Sequence, residues 1–158
     1  MNKIFTLSVL LFVLNCKSTS NSNQMKSIID EMLIDKGNLY GAGAEGITKQ
    51  NLIISNANHW KTLIQKLDRV NKVSDGFSQK EIDFEKYNVL AVFDEVKNTG
   101  GHSIALEISE NTEHTIVNVS FNSPQGMATT VISQPYIIVK IEKSEFQLFL
   151  NKKRPTIG

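Results

Sequence analysis

Trp60, Leu63, Ile64, Leu67 and Val70 recur three and four residues apart, the spacing that lines side chains along one face of an α-helix. Asn56 or Asn58, just ahead of this stripe, is placed to cap the first turn by accepting a backbone N–H. Lys61, Gln65, Lys66 and Asp68 fall off the stripe, so the helix has one apolar face that a sheet must cover. The chain from residue 88 onward supplies strands. Val89-Leu90-Ala91-Val92-Phe93 is an unbroken apolar run, as expected of a strand buried on both faces. Ile104, Leu106 and Ile108 alternate with Ala105 and Glu107, and Val117, Val119 and Phe121 alternate with Asn118 and Ser120. The short polar stretch between these two segments, near residues 110–112, suits an antiparallel hairpin. Ile137, Val139 and Ile141 alternate with Ile138 and Lys140, and Phe146, Leu148 and Leu150 complete the series. Ahead of the helix, residues 28–34 are apolar but mixed in period, a strand with a short helix as the alternative; residues 39–46 read as a glycine turn. Residues 47–54 read as a strand ending in Leu52-Ile53-Ile54. One amphipathic helix followed by closely spaced strands predicts an α+β fold with a mainly antiparallel β-sheet.

The first residues follow a different pattern. Lys3 precedes an apolar stretch over residues 4–14 that is broken only by Thr6 and Ser8. That run is too short for the ~20 residues that cross a bilayer and has the length of the apolar part of a secretory signal. The only cysteine, Cys16, stands directly behind it in Val13-Leu14-Asn15-Cys16, and a polar stretch of Ser, Thr, Asn and Lys follows. This arrangement resembles the lipobox of bacterial lipoproteins, with Asn15 where Gly, Ala or Ser is usual. The resemblance implies a signal peptide over residues 1–15, lipidation at Cys16, a flexible tether over residues 16–27 and one domain over residues 28–158. A single acyl chain holds a protein only marginally whereas two or more anchor it stably, so a multiply acylated Cys16 implies a stable membrane anchor. An exported chain with a single thiol also lacks a disulfide partner for it.

Charge narrows the function classes. The chain has 17 basic and 16 acidic residues, and Lys3 leaves with the leader, so the mature protein is neutral. A neutral surface gives no reason to expect nucleic acid. Lys152, Lys153 and Arg154 form the only basic run and read as a solvated end. Residues 41–46 match G-x-G-x-x-G, but the residues that follow read as a strand, whereas a pyrophosphate cradle must open a helix. His59, His102 and His114 are widely spaced and no free Cys remains, so no metal site and no cofactor are expected. Neither a nucleophile elbow nor a Cys–His arrangement is present. Asp83, Asp94 and Glu95 are the carboxylates that a small hydrolase would use, but no catalytic residue is assigned.

Gly100-Gly101, after Asn98-Thr99, permits positive φ and predicts a hairpin between strands; a close approach by a partner backbone is the sharper alternative. Gln134-Pro135-Tyr136 opens a strand, and Pro135 restricts it to a strand start or to an edge whose free backbone groups accept a partner strand. Tyr136 reads as a core aromatic or as an interface anchor.

The ordered set Trp60, Asp83-Phe84, Gly100-Gly101-His102-Ser103-Ile104 and Gln134-Pro135-Tyr136-Ile137-Ile138-Val139-Lys140-Ile141, with the apolar final strand behind it, resembles the PrcB-like C-terminal domain family. That family takes its name from an accessory lipoprotein of a bacterial surface protease complex. The resemblance covers most of residues 51–150. It implies a lipid-anchored envelope protein, on the outer membrane or the periplasmic face of the inner membrane, that binds or stabilises another envelope protein such as an exocytoplasmic protease and is not an enzyme. Gly100, Gly101, His102, Gln134, Pro135 and Tyr136 are then the candidate partner-binding residues. A protease inhibitor or regulator that inserts the loop of residues 39–46 into a cleft is the alternative.

Overall fold

The computed structural model describes residues 29–110, 114–143 and 147–152. The signal, Cys16 and the tether, the turn at residues 111–113, Phe146 and the basic end lie outside them. Seven strands and one longer helix are laid down in the order β1 (Leu33–Leu39), β2 (Gln50–Ile54), α1 (Ala57–Leu67), β3 (Tyr87–Phe93), β4 (Ser103–Glu110), β5 (His114–Asn122), β6 (Gln134–Glu142) and β7 (Gln147–Lys152). A four-stranded sheet has the order β1-β6-β3-β2, and a three-stranded sheet has the order β4-β5-β7. Every pairing is antiparallel except β5 with β7, which is parallel. The fold is α+β and mainly antiparallel. Among the described residues no helix is long and apolar enough to cross a membrane.

The four-stranded sheet is the middle layer, with α1 on one face and the smaller sheet on the other. Val89, Ala91 and Phe93 of β3 join Trp60, Leu63 and Leu67 of α1 in one core, together with Tyr136 and Ile138 of β6. Leu90 and Val92 point the other way and meet Ile104, Leu106, Ile108, Val117 and Val119, with Ile137, Val139 and Ile141 of β6. This is the physical reason why β3 reads as a continuous apolar run: successive residues enter opposite cores, and all five from Val89 to Phe93 are fully buried.

Asn56 supplies the N-cap of α1, its side chain accepting from the His59 N–H at 2.9 Å. The apolar stripe ends at Leu67. Val70 lies past the helix and is 45% exposed, because Asp68 turns the chain: its carboxylate accepts from the backbone N–H and the hydroxyl of Ser74, at 2.8 and 2.7 Å. The short 3₁₀ turn that follows, Val73–Gly76, delivers Phe77 to stack on Trp60 at 5.7 Å. The indole N–H of Trp60 donates to the Lys80 carbonyl at 2.8 Å, so this large buried ring leaves no polar atom unpaired.

Four expectations change. Residues 29–32 are helical and β1 begins at Leu33, so both readings of the first apolar stretch hold, one after the other. Residues 47–49 are not strand, and β2 starts at Gln50. Gly100-Gly101 is not a hairpin: β3 pairs with β2 and β6, β4 pairs with β5, and residues 94–102 carry the chain from one sheet to the other. Pro135 marks a strand start, as its chemistry allows, but not an edge, since β6 begins at Gln134 and is flanked by β1 and β3. The parallel pair β5–β7 arises because β6, which runs back between them, lies in the other sheet.

Leu67 is fully buried while Val70 is not. Leu67→Ala should therefore cost about 2–5 kcal/mol in urea unfolding, and Val70→Ala should stay within about 0.5 kcal/mol. Equal shifts in the two midpoints would contradict this end of the helix.

Candidate functional site

The register places one set of loops together. Leu39 pairs with Gln134, and Gln50 and Tyr136 both pair with Phe93. Ser103 pairs with Asn122. The loops 40–49, 94–102 and 123–133 thus leave the two sheets at the same end. They expose apolar side chains: Tyr40 at 60%, Val96 at 37%, Met127 fully, Val131 at 37% and Ile132 at 45%. Single exposed apolar residues are ordinary, whereas several on adjoining loops make this end the candidate contact surface.

Beneath that surface the loops are tied together by charge. Asp94 follows the last residue of β3, is 2% exposed and pairs with Lys49 and with Lys97, the latter at 3.2 Å. Lys97 also meets Glu95 at 2.6 Å. Burial works against the charged form of Asp94, but hydrogen bonds from Lys49, the Glu95 backbone and Lys97 outweigh it and hold the carboxyl below its ordinary range. Burial likewise opposes the charged form of Lys97, and its bonds to Glu95 and Asp94 overcome that and raise its pKa. Lys49 also lies over the Phe121 ring, 4.4 Å from its centre, which links loop 40–49 to β5. The buried Gln134 amide donates to the carbonyls of Ile47 and Asp94, both at 2.9 Å, and fastens loop 40–49 to the end of β3. A groove of about 460 Å³ lies over this cluster, walled by Gly43, Ile47, Lys49, Glu95, Val96 and Gln134.

The glycines serve this packing. A Cβ on Gly100 would stand 2.4 Å from the Thr129 hydroxyl and 2.8 Å from Val131, and the Gly100 N–H donates to the Thr129 carbonyl at 2.9 Å. Gly101 has φ +81° and faces Pro124. The expected close approach exists, but the approaching chain is the protein's own loop 123–133. Residues 41–46 form a tight turn, closed by Ala44 N–H to the Gly41 carbonyl at 2.9 Å and Gly46 N–H to the Gly43 carbonyl at 3.0 Å. Glu45 is fully buried within it, accepting from the Gly41 N–H at 3.0 Å. The turn leads to extended chain and β2, not to a helix N-terminus.

The six residues singled out from the sequence fall at this end of the molecule but in two environments. Gly101 is exposed and His102 half-buried, with His102 Nε2 bonded to the Thr99 hydroxyl at 2.9 Å. Gly100, Gln134, Pro135 and Tyr136 are buried. Tyr136 stacks on Phe93 at 6.3 Å and donates its hydroxyl to Asp35 at 2.6 Å, and burial together with Asp35 pushes its ionisation far up. It is a core residue, and the backbone edges of its strand are already paired, so the reading of residues 134–136 as a surface for a partner strand is corrected. Asp83 and Asp94 stand at opposite ends of the seven-residue β3, roughly 20 Å or more apart by strand rise, and do not form a carboxylate pair. His59 lies on α1 and is exposed, and the His114 side chain is outside the described residues. Among the described residues no three His, Cys, Asp or Glu side chains gather as metal ligands would.

The loop surface was not visible in the sequence, because residues 123–133 carry no period. Met127, Val131 and Ile132, apolar residues within a polar, turn-rich stretch, were its only sign.

Because the pKa of Asp94 is depressed on folding, the stability it supplies is present above the unfolded value of about 3.9 and is lost as pH falls through the folded one. Asp94→Asn should cost about 2 kcal/mol at pH 7 and flatten the decline in stability below about pH 4. Matching pH profiles for variant and wild type between about pH 2 and 5 would show that the ion pairs contribute nothing to the folded state.

No curated protein and no solved structure matches the chain. Residues 88–142 match the family model described as PrcB C-terminal, a stretch that runs from the second residue of β3 to the last of β6. Over that stretch, which includes both the doubly buried strands and the loops 94–102 and 123–133, the chain is similar to the PrcB C-terminal family.

Proposed function

We propose that the protein is a lipid-anchored accessory module of the bacterial cell envelope that binds a partner protein, such as an exocytoplasmic protease, through its loop end, and that it is not an enzyme. The carrying observation is the run of exposed apolar side chains on loops 94–102 and 123–133, both inside the family segment. Such a surface suits a partner that covers it, since apolar contact area is what drives most association. The non-enzymatic reading draws support from Asp94, whose charge is already taken up by Lys49 and Lys97. The anchoring reading rests on Cys16 behind its short apolar leader.

A photo-cross-linking residue at Met127 in the full chain should give one discrete protein adduct in intact cells, and Ile132→Asp should abolish it without moving the unfolding midpoint. The same probe at Lys61, exposed on α1, should give none. No adduct at Met127, or the same adduct from both positions, would remove the loop end as the binding surface.

Cys16→Ser should eliminate incorporation of labelled fatty acid and shift the protein from the membrane to the soluble fraction. Equal labelling of the variant would refute the anchor.

A further inference from the structure

The two edges of the four-stranded sheet are treated differently. At β1 the start of the outer edge is covered by Ser78, whose N–H donates to the Ile34 carbonyl at 3.0 Å and whose hydroxyl donates to the Leu33 carbonyl at 2.8 Å. At β2, among the described residues, neither a strand nor a hydrogen bond from a loop covers the outer edge. An open edge is a template for another chain unless it is blocked. Beside it runs α1, and between the two lies a groove of about 220 Å³. Its apolar wall includes Leu52, Ile54 and Leu63, and the helix side adds His59, Thr62 and Lys66. Ile53, which also borders the groove, is 48% exposed.

An edge strand alongside a helix offers an extended peptide both kinds of contact it needs: main-chain bonds to the strand and a groove for alternate side chains. Charge decides what kind of peptide. The groove wall has Lys66 and no Asp or Glu, and Lys66 makes no ion pair among the described residues. A second copy of the chain pairing through β2 would bring Thr48-Lys49-Gln50-Asn51-Leu52-Ile53-Ile54-Ser55, which has no carboxylate to offer Lys66 and whose one cation, Lys49, is already paired with Asp94. A segment with an apolar residue next to Asp or Glu satisfies both the groove and Lys66.

We propose that the groove between β2 and α1 binds an extended, acidic segment of a partner protein, which adds to the sheet as a fifth strand on β2. The groove shares Ile47 with the wall of the loop-end groove but is otherwise lined by β2 and α1, and the proposal stands or falls independently of the function assigned to the loop end.

The test is selection of a displayed library of random nine-residue peptides on the full chain, followed by synthesis of the enriched sequences. Enriched peptides should carry an apolar residue flanked by Asp or Glu and should slow amide hydrogen exchange at residues 50–54. N-methylation of alternate peptide nitrogens should weaken binding at least tenfold, since it removes the main-chain donors. Lys66→Glu should also weaken it at least tenfold, while Lys66→Arg retains it; the exposed position of Lys66 lets both variants fold, as circular dichroism would verify. Failure to enrich acidic peptides, or binding indifferent to N-methylation and to Lys66→Glu, overturns the proposal. So does a concentration-dependent dimer that protects residues 50–54 with no peptide present.

Discussion

A central pair of antiparallel strands with no free face is the constraint on which the rest of the structure depends. β3 and β6 lie side by side in the middle layer, and their side chains fill a helix-facing core and a sheet-facing core in turn. Antiparallel sheets commonly leave one face to water; here neither face of the two central strands is available, so whatever the molecule presents to a partner must come from loops, from the edge strands or from the outer sides of the covering layers. The backbone of both central strands is fully engaged, with β6 held between β1 and β3. Wedging a partner strand beside Pro135 would mean breaking one of those pairings.

The same constraint explains the charges and glycines at the loop end. Once the chain must pass from one sheet to the other through residues 94–102 and back through residues 123–133, the two connections meet, and Gly100 is the place where a side chain would collide with Thr129. Asp94, the first residue beyond β3, is drawn under the loops and buried, and a buried carboxylate persists only with partners. Lys49 arrives from the loop before β2 and Lys97 from the connection itself. In this fold the cluster is a clamp that holds loops 40–49 and 94–102 together.

Much of the architecture was legible because burial writes a period into the chain. Val89 to Phe93 could be read as doubly buried, the β4–β5 hairpin as half-buried, and α1 from Trp60, Leu63 and Leu67, since each has a simple relation between spacing and face. Alternation has no direction, so nothing in residues 147–152 distinguished a parallel neighbour from an antiparallel one. Val70 extended the stripe in sequence only, because Asp68 leaves the helix to hold Ser74. Two adjacent glycines suit a hairpin or a partner's backbone equally well, and nothing in them points to loop 123–133 as the segment that packs on Gly100, while Pro135 fits a central strand because it sits at the strand's start. The candidate surface was the least legible part: exposed Met127 and Ile132 differ from core residues only in where the fold puts them.

A buried, doubly covered scaffold with apolar loops at one end suits the accessory role proposed above, in which the scaffold positions the loops and a lipid at Cys16 would fix the whole at a membrane. The most direct measurement is amide hydrogen exchange on the full chain, alone and in the complex isolated with its envelope partner. The account predicts that β3 and β6 exchange slowest in both states, and that residues 123–133 exchange quickly in the free protein and become protected in the complex. Unchanged exchange at residues 123–133 in the complex would contradict it.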